Sequence, residues 1–478
     1  MGTRLDEHAV PDLPPARPAG RTARGANRVH RRAGRTLRRR GRRTLRSRDR
    51  RTLRRRRPTM RRRYAYGLLI AQTVSVTGTR MSVVAVPWFV LQSTGDALLT
   101  GVTAFVEMGA LVAARILGGP LIDRIGPRIA SVGGDLIAGL VLGVLPLLYA
   151  ADLLSFPVLL VLVGLVGLFR GPSDNAKYAM VPDVAATAGW SNERAAGLAD
   201  SGHRLGSLIG APLGAVLIAL LGAPAVIALD AASFLLAAAL VATLVRVRRA
   251  EPAPAEADHQ TGVSGYLADL AAGLRFVRRD PLLRAIVAMV LLTNLLDQAM
   301  TAVLIPVWAA ERFDDAAPVG LVFGALSAGA LVGSLLVSMH GARLPRWRTY
   351  TVAFLFGAVP RIFVLALPVG LPVIAGVALI GGVLIGAINP LLSAAEFERI
   401  PAGLRARVLG AVGGLAWAGI PLGGLVGGVL ATTLGATGGI LVVGAAYLLV
   451  TLDPLVRRRT WRLMDRAAPA TTPVSVPA

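Results

Sequence analysis

Twelve stretches of continuous apolar residues organise this chain, each close to the length needed to cross lipid. They fall at 65–91, 99–122, 129–150, 153–172, 198–221 and 225–245, then at 285–309, 317–338, 348–367, 371–394, 408–434 and 438–455. A helix that spans the hydrocarbon needs about 20 mostly apolar residues. The runs are unbroken and do not alternate at period two, so helices are predicted and barrel strands are not. Two spans are marked by polar ends. The fourth finishes in polar residues, and the fifth opens with Asp200, His203 and Arg204.

The turns between spans give an orientation. Ser93–Asp96, Asp152–Leu153, Gly222–Pro224, Pro368–Val369 and Gly435–Thr437 carry no basic residue. The opposite connections carry Arg124 and Arg128, Lys177 and Arg194, Arg246 to Arg279, Arg343 to Arg348, and Arg399 to Arg407, with Arg457 to Arg462 after the last span. Arg312 alone breaks the alternation, beside Glu311, Asp314 and Asp315. Basic loops stay cytoplasmic, so both termini are expected inside a cell membrane (inner or plasma) crossed many times.

The longest internal break lies between spans six and seven. Residues 250–264 are polar and contain proline; after them Tyr266, Leu267, Leu270, Leu274 and Val277 recur at helical spacing. They suit either an amphipathic helix on the cytoplasmic lipid surface or an ordinary linker helix. The expected organisation is a six-helix half over 60–246, a linker over 247–281, a second half over 282–456 and a cytoplasmic tail over 457–478. The halves echo each other. Gly210-Ala-Pro-Leu-Gly214 resembles Gly419-Ile-Pro-Leu-Gly423, while Gly210, Gly214 and Gly222 share the spacing of Gly423, Gly427 and Gly435. These registers differ by four residues, and either implies a parallel duplication.

Composition separates the body from its leading segment. The chain is 54% hydrophobic and only 17% charged, against roughly a quarter charged in soluble proteins. Its net charge of +25 is concentrated in residues 1–59, where Arg-Thr-Leu recurs at 35–37, 43–45 and 51–53. That tract cannot bury a core and is expected to be disordered. It could contact anionic lipid headgroups, bind nucleic acid phosphates, or precede the true start at Met60. No nucleic acid partner is expected for the transport body. With no cysteine and five scattered histidines, thiolate chemistry and a metal site are not expected. No nucleotide-binding glycine loop, nucleophile elbow or catalytic carboxylate pair is evident, so neither an enzyme nor a cofactor is expected.

The turn after the second span reads Gly119-Pro-Leu-Ile-Asp123-Arg124-Ile-Gly126-Pro-Arg128. It resembles the G-x-L-x-D-R-x-G-R-[KR] signature of the major facilitator superfamily, with Pro127 where that family prefers arginine. The resemblance covers about residues 64–460 and implies the major facilitator fold. It also implies a conformational latch made by Gly119, Asp123, Arg124, Gly126 and Arg128. The matching turn of the second half, Gly341-Ala-Arg-Leu-Pro-Arg346, lacks the aspartate. Gly206, Gly210, Pro212 and Gly214 resemble the glycine–proline helix-packing motif of drug-exporting members, with the proline displaced by one residue. Small residues every four let helices approach closely. Residues 182–194, Asp230–Phe234, Leu274–Pro281 and Arg399–Val408 are similar to the macrolide-efflux and enterobactin-export branch, which implies proton-coupled export.

Ionisable side chains within spans are costly and face partners or cavities. The candidates are Arg80, Glu107, Arg115, Asp135, Asp230, Asp297 and Arg361. A proton carrier must be able to become neutral, which favours the carboxylates Glu107 and Asp297, then Asp135 and Asp230. An ion pair such as Asp135 with Arg115 is the structural alternative. The expected protein is a monomeric, lipid-embedded secondary transporter that exports a small hydrophobic or amphipathic compound, a drug, siderophore or metabolite, against protons. Uptake of a nutrient is the alternative within transport; its cavity needs many hydrogen-bonding groups, for which Asn294, Gln298 and Asn389 are the main candidates. A membrane-anchored regulator acting through the Arg tract is the alternative outside it.

Overall fold

The computed structural model describes the backbone of residues 33–245, 263–340, 344–400 and 404–465, and side chains from Arg62 onward with a few exceptions, Asp123 among them. The described residues form helices and turns. Eleven helical segments are long and apolar enough to span a membrane. The last, Arg407–Val456, is 50 residues long, and Gly435 inside it has a non-helical backbone (φ 70°, ψ 172°). That conformation suits glycine and breaks the segment in two, which accords with the twelve spans expected from the sequence.

The first half contains α1 (Ala33–Thr94), α2 (Ala97–Leu117), α3 (Gly119–Ile125), α4 (Pro127–Ala150), α5 (Phe156–Ala179), α6 (Val181–Ala188), α7 (Asn192–Leu221) and α8 (Ala223–Leu244). After α9 (Val263–Arg279) come α10 (Pro281–Ala299), a π-helical turn over Met300–Leu304, α11 (Ile305–Phe313), α12 (Ala317–His340) and α13 (Arg346–Val352). A second π-helical stretch, Ala353–Ala358, leads into α14 (Val359–Phe363); α15 (Leu371–Ile385), α16 (Ile388–Arg399) and α17 (Arg405–Thr451) follow.

α1 starts at Ala33, within the Arg-rich tract, where leucine and arginine are good helix formers and extending an existing helix avoids a new nucleation cost. Residues 1–32 lie outside the described residues, as do 246–262 of the linker and 466–478 of the tail. The fourth span does not end near residue 172. α5 runs on to Ala179 through Pro172, and Lys177 is buried inside the bundle, not placed in a loop. Finally, α9 lays its Gly273 against the Arg407 carbonyl and Ala411 of α17, and buries Val277, while Leu274 is exposed. The face it covers belongs to the protein.

Helix ends follow local chemistry. Asp96 caps α2 by accepting from the amides of Leu98 (2.7 Å) and Leu99 (3.4 Å). Asp280 caps α10 in the same way and also accepts from Arg399 at 2.8 Å. The exceptional Arg312 donates to the carbonyls of Leu367 (2.9 Å) and Val369 (3.2 Å), tying down a turn without basic residues of its own.

Close helix contacts fix the relation between the halves. Built Cβ atoms on Gly206, Gly210 and Gly214 of α7 would press on the Thr73 carbonyl, the Thr77 carbonyl with Arg80 Cβ, and Met81 of α1, respectively. On Gly419, Gly423 and Gly427 of α17 they would press on the Leu291 carbonyl, the Leu295 carbonyl with Gln298 Cβ, and Ala299 of α10. Thr77 to Arg80 and Leu295 to Gln298 are the same step along a helix. The register is therefore Gly210 with Gly423, and Arg80 with Gln298. Gly222 and Gly435 then match as well, both with positive φ at a turn. The two Gly-x-Pro-Leu-Gly segments are not equivalent.

Candidate functional site

Between the halves lies a central cavity of about 540 Å³, and a shallower groove between them opens beside Gly95 and Asp96. At the end bearing the Gly95, Gly222 and Gly435 turns the halves close tightly. Gly101 of α2 abuts the Gly424 carbonyl and Gly428 of α17, and Gly320 and Gly324 of α12 abut Pro212 and Ala215 of α7. These approaches leave no room for a Cβ, so small residues set the seal.

The lining is chemically lopsided. Arg80, Glu107, Arg115, Arg170, Asp174 and His203 all come from the first half. The second half contributes Gln298, Thr301, Ala302, Phe323, Leu326, Ser327, Trp417 and Ile420, none of them charged. Gly167 and Gly171 bring α5 against α2, where added Cβ atoms would meet the Glu107 and Leu111 carbonyls. That contact sets Arg170 3.8 Å from Glu107; one turn along α5, Asp174 lies 3.7 Å from the same arginine. Arg115 pairs with Asp174 at 2.6 Å and stacks over Trp417 at 4.6 Å, a contact between halves. Lys177 continues the chain inward. Its ammonium lies 2.9 Å from Asp135, 3.8 Å from Asp174 and 3.1 Å from the Ser75 hydroxyl. Ser173 also donates to Asp135 at 2.6 Å.

The four carboxylate candidates thus occupy different settings. Glu107 lines the cavity. Asp230 lies behind it, accepting from Ser82, a lining residue, and from Ser233 at 3.0 Å. Asp135 is buried and pairs with Lys177, whereas Arg115 pairs with Asp174; the expected Asp135–Arg115 pair does not form. Asp297 is not among the lining residues. It pairs with Arg361 and accepts from Tyr447 at 3.3 Å within the second half. Of the amides singled out for a hydrogen-bonding cavity, only Gln298 lines it. Asn294 donates to the Ala416 carbonyl at 2.8 Å, and Asn389 borders a separate pocket.

The latch residues sit apart from the cavity. Gly126 joins α3 to α4 with φ 88°, a conformation that favours glycine at this position. Gly119 has open space around it; Gly118 is the crowded neighbour, against the Ala114 carbonyl and Pro172. Arg128 donates to the Ala242 carbonyl at the end of α8, and Arg124 is exposed. The side chain of Asp123 lies outside the described residues. In the second half, Arg346 instead makes a two-pronged pair with Glu398 (2.6 and 2.7 Å). Those hydrogen bonds hold the Glu398 carboxyl below its ordinary pKa.

Sequence reasoning missed Arg170, Asp174, Lys177 and Trp417 as site residues. For the first three a signal existed: positions 170, 174 and 177 share one helical face, and polar residues at i, i+4 and i+7 after an apolar run mark an inward-facing stripe. Nothing in the sequence singled out Trp417.

A twelve-crossing bundle split into two internally repeated halves around a central cavity is the architecture of a secondary transporter. The family model described as Major Facilitator Superfamily matches residues 68–296 and 287–473. The chain belongs to the major facilitator superfamily. It is accordingly a multi-pass membrane transporter of small molecules and not an enzyme. Among similar family members, the multidrug efflux pump Tap of Mycolicibacterium fortuitum is 31% identical over 386 residues, covering 80% of this chain and 93% of that protein. Tap of Mycobacterium tuberculosis is 30% identical over 374 residues, covering 78% and 88%. Two solved structures share the fold at 13% identity. The nucleoside transporter NupG has a TM-score of 0.63 and covers 84% of this chain and 98% of that one. A bacterial homologue of the human lysosomal transporter Spinster, inward-facing and unoccupied, has a TM-score of 0.65 and covers 86% and 99%.

Proposed function

We propose that this transporter exports a small hydrophobic or amphipathic compound (a drug, siderophore or metabolite) across the plasma membrane in exchange for protons. The observation that carries this reading is Glu107: a carboxylate on the wall of the inter-half cavity, paired loosely with Arg170 at 3.8 Å. The relatives' description as multidrug efflux pumps supports the direction of transport.

The positive-inside pattern supports cytoplasmic termini, and the glycine-sealed end then faces outward with the cavity reached from the cytoplasm. In that state substrate enters and Glu107 loses its proton to the cytoplasm, where Arg170 steadies the carboxylate. Rocking of the halves exposes the cavity outside. Protonation there frees Arg170 to pair with Asp174, and the substrate leaves. Asp230, linked through Ser82, is the second candidate carrier. Asp135 and Asp297 serve as structural partners of Lys177 and Arg361. Asp123, with Arg124 and Arg128, latches the cytoplasmic side when it closes. One chain supplies the whole cavity, so the working unit is the monomer in lipid.

The test is export of a compound panel from cells, with and without an uncoupler. Glu107→Gln is expected to abolish the uncoupler-sensitive component at unchanged protein level. Full export by Glu107→Gln would remove this residue from coupling.

A further inference from the structure

Arg80 stands out among the cavity's charged groups. Arg115 and Arg170 each have a carboxylate within 4.0 Å. Arg80 has none among the described residues; its one hydrogen bond runs from Nε to the Ser207 hydroxyl at 3.1 Å. Both terminal nitrogens of its guanidinium are left without an acceptor among the described residues. The wall holds three guanidinium groups against two carboxylates, with Asp230 just behind it through Ser82. A guanidinium whose terminal nitrogens lack an acceptor inside a membrane-embedded cavity calls for one.

The surroundings supply the rest of a binding site. His203 and Ser207 lie one turn apart on α7, and both line the cavity beside Arg80. Phe323, Leu326, Trp417 and Ile420 supply an apolar surface from the second half. A planar guanidinium fork matches a carboxylate or sulfonate geometrically. Nor does packing demand arginine here. Its repeat mate, Gln298, meets Gly423 as Arg80 meets Gly210, and it lines the same cavity. The fold therefore accepts a neutral amide at this contact, and the arginine is a chemical choice.

We infer that the transported compounds are acidic amphiphiles, whose carboxylate or sulfonate is held by Arg80 while the apolar body rests on the second-half wall. This assignment rests on the export reading for its physiological meaning, but binding to the cavity is measurable without any gradient.

The test uses the purified full chain in nanodiscs, with energy transfer from tryptophan to a dansyl probe. Dansylglycine carries the acid; dansylglycinamide is its neutral counterpart. The wild type is expected to bind the acid at least tenfold more tightly. Arg80→Gln should erase that preference and leave binding of the amide unchanged, and Arg80→Lys should keep part of it. Equal binding of the two probes by the wild type would overturn the assignment. So would a preference that survives in Arg80→Gln. Loss of proton-driven export in Glu107→Gln cells bears on coupling alone, so the two ideas fail separately.

Discussion

The two halves share a register, yet they treat charge differently. In the first, α1, α2, α5 and α7 carry every charged residue of the cavity wall, and the ion pairs run from Glu107 through Arg170 and Asp174 to Lys177 and Asp135. In the second, the ion pair of Asp297 with Arg361 is kept off the wall. There the wall is uncharged, and the helices instead carry π-helical turns at Met300–Leu304 and Ala353–Ala358. Thr301 and Ala302 of the first turn line the cavity. Such turns replace the regular ladder locally and recur at functional sites. A duplicated frame has thus been divided between an electrostatic half and a half that offers greasy surface and irregular backbone.

The largest test of this contrast is removal of one partner from an ion pair in each half. Lys177→Met strands Asp135, whose side chain is 0% exposed, and is expected to cost about 3–5 kcal/mol, read as a lower melting temperature in detergent. Combining it with Asp135→Leu should restore most of that loss. Asp297→Asn in the other half should cost clearly less, because the Asp297 side chain is 36% exposed. Equal losses would mean that the halves carry charge in the same way.

A second test concerns helix spacing. Gly167→Val would push α5 off the Glu107 carbonyl and part Arg170 from Glu107. Transport is expected to fall at least tenfold with protein still made. Gly164→Ala, which meets only the Val106 side chain at 3.2 Å, should be tolerated. Next comes the seal. Gly424→Leu forces α17 away from Gly101, which should favour the opened form. The chain has no native cysteine, so a single cysteine at Thr103 would report this as a several-fold faster reaction with an impermeant external reagent. An unchanged rate would show that this contact does not hold the end shut.

The smallest effect belongs to the second half's surface pair. Glu398 titrates below its unfolded value, so its contribution is complete above the ordinary carboxylate range. It is lost as pH falls through the depressed folded value. Arg346→Gln should therefore lower the melting temperature slightly near neutrality, with the difference from the wild type vanishing below about pH 4. A larger effect near neutrality would mean that this contact is more than a surface pair.

Span positions, the repeat and the family motif were legible because lipid imposes length and continuity on the chain. The breaks at Gly222 and Gly435 were legible for the same reason: glycine between apolar runs marks a turn. Pairings were less so. Asp135 and Arg115 lie in adjacent spans and so suit a pair by sequence, but Lys177 and Asp174 stand between them. Lys177 reads as a loop cation because the apolar run ends at residue 172, whereas a helix continues wherever its polar face finds partners inside the bundle. The two glycine registers could not be separated by spacing alone; the atoms each glycine touches on the neighbouring helix distinguish them.

Lys177 is the chain's single lysine, and its side chain is only 2% exposed. Amine-directed reagents therefore meet almost no target on the folded molecule beyond the α-amino group. Slow acylation of this one ε-nitrogen is accordingly a clock for the opening of the α4–α5 contact, a readout requiring no engineered label.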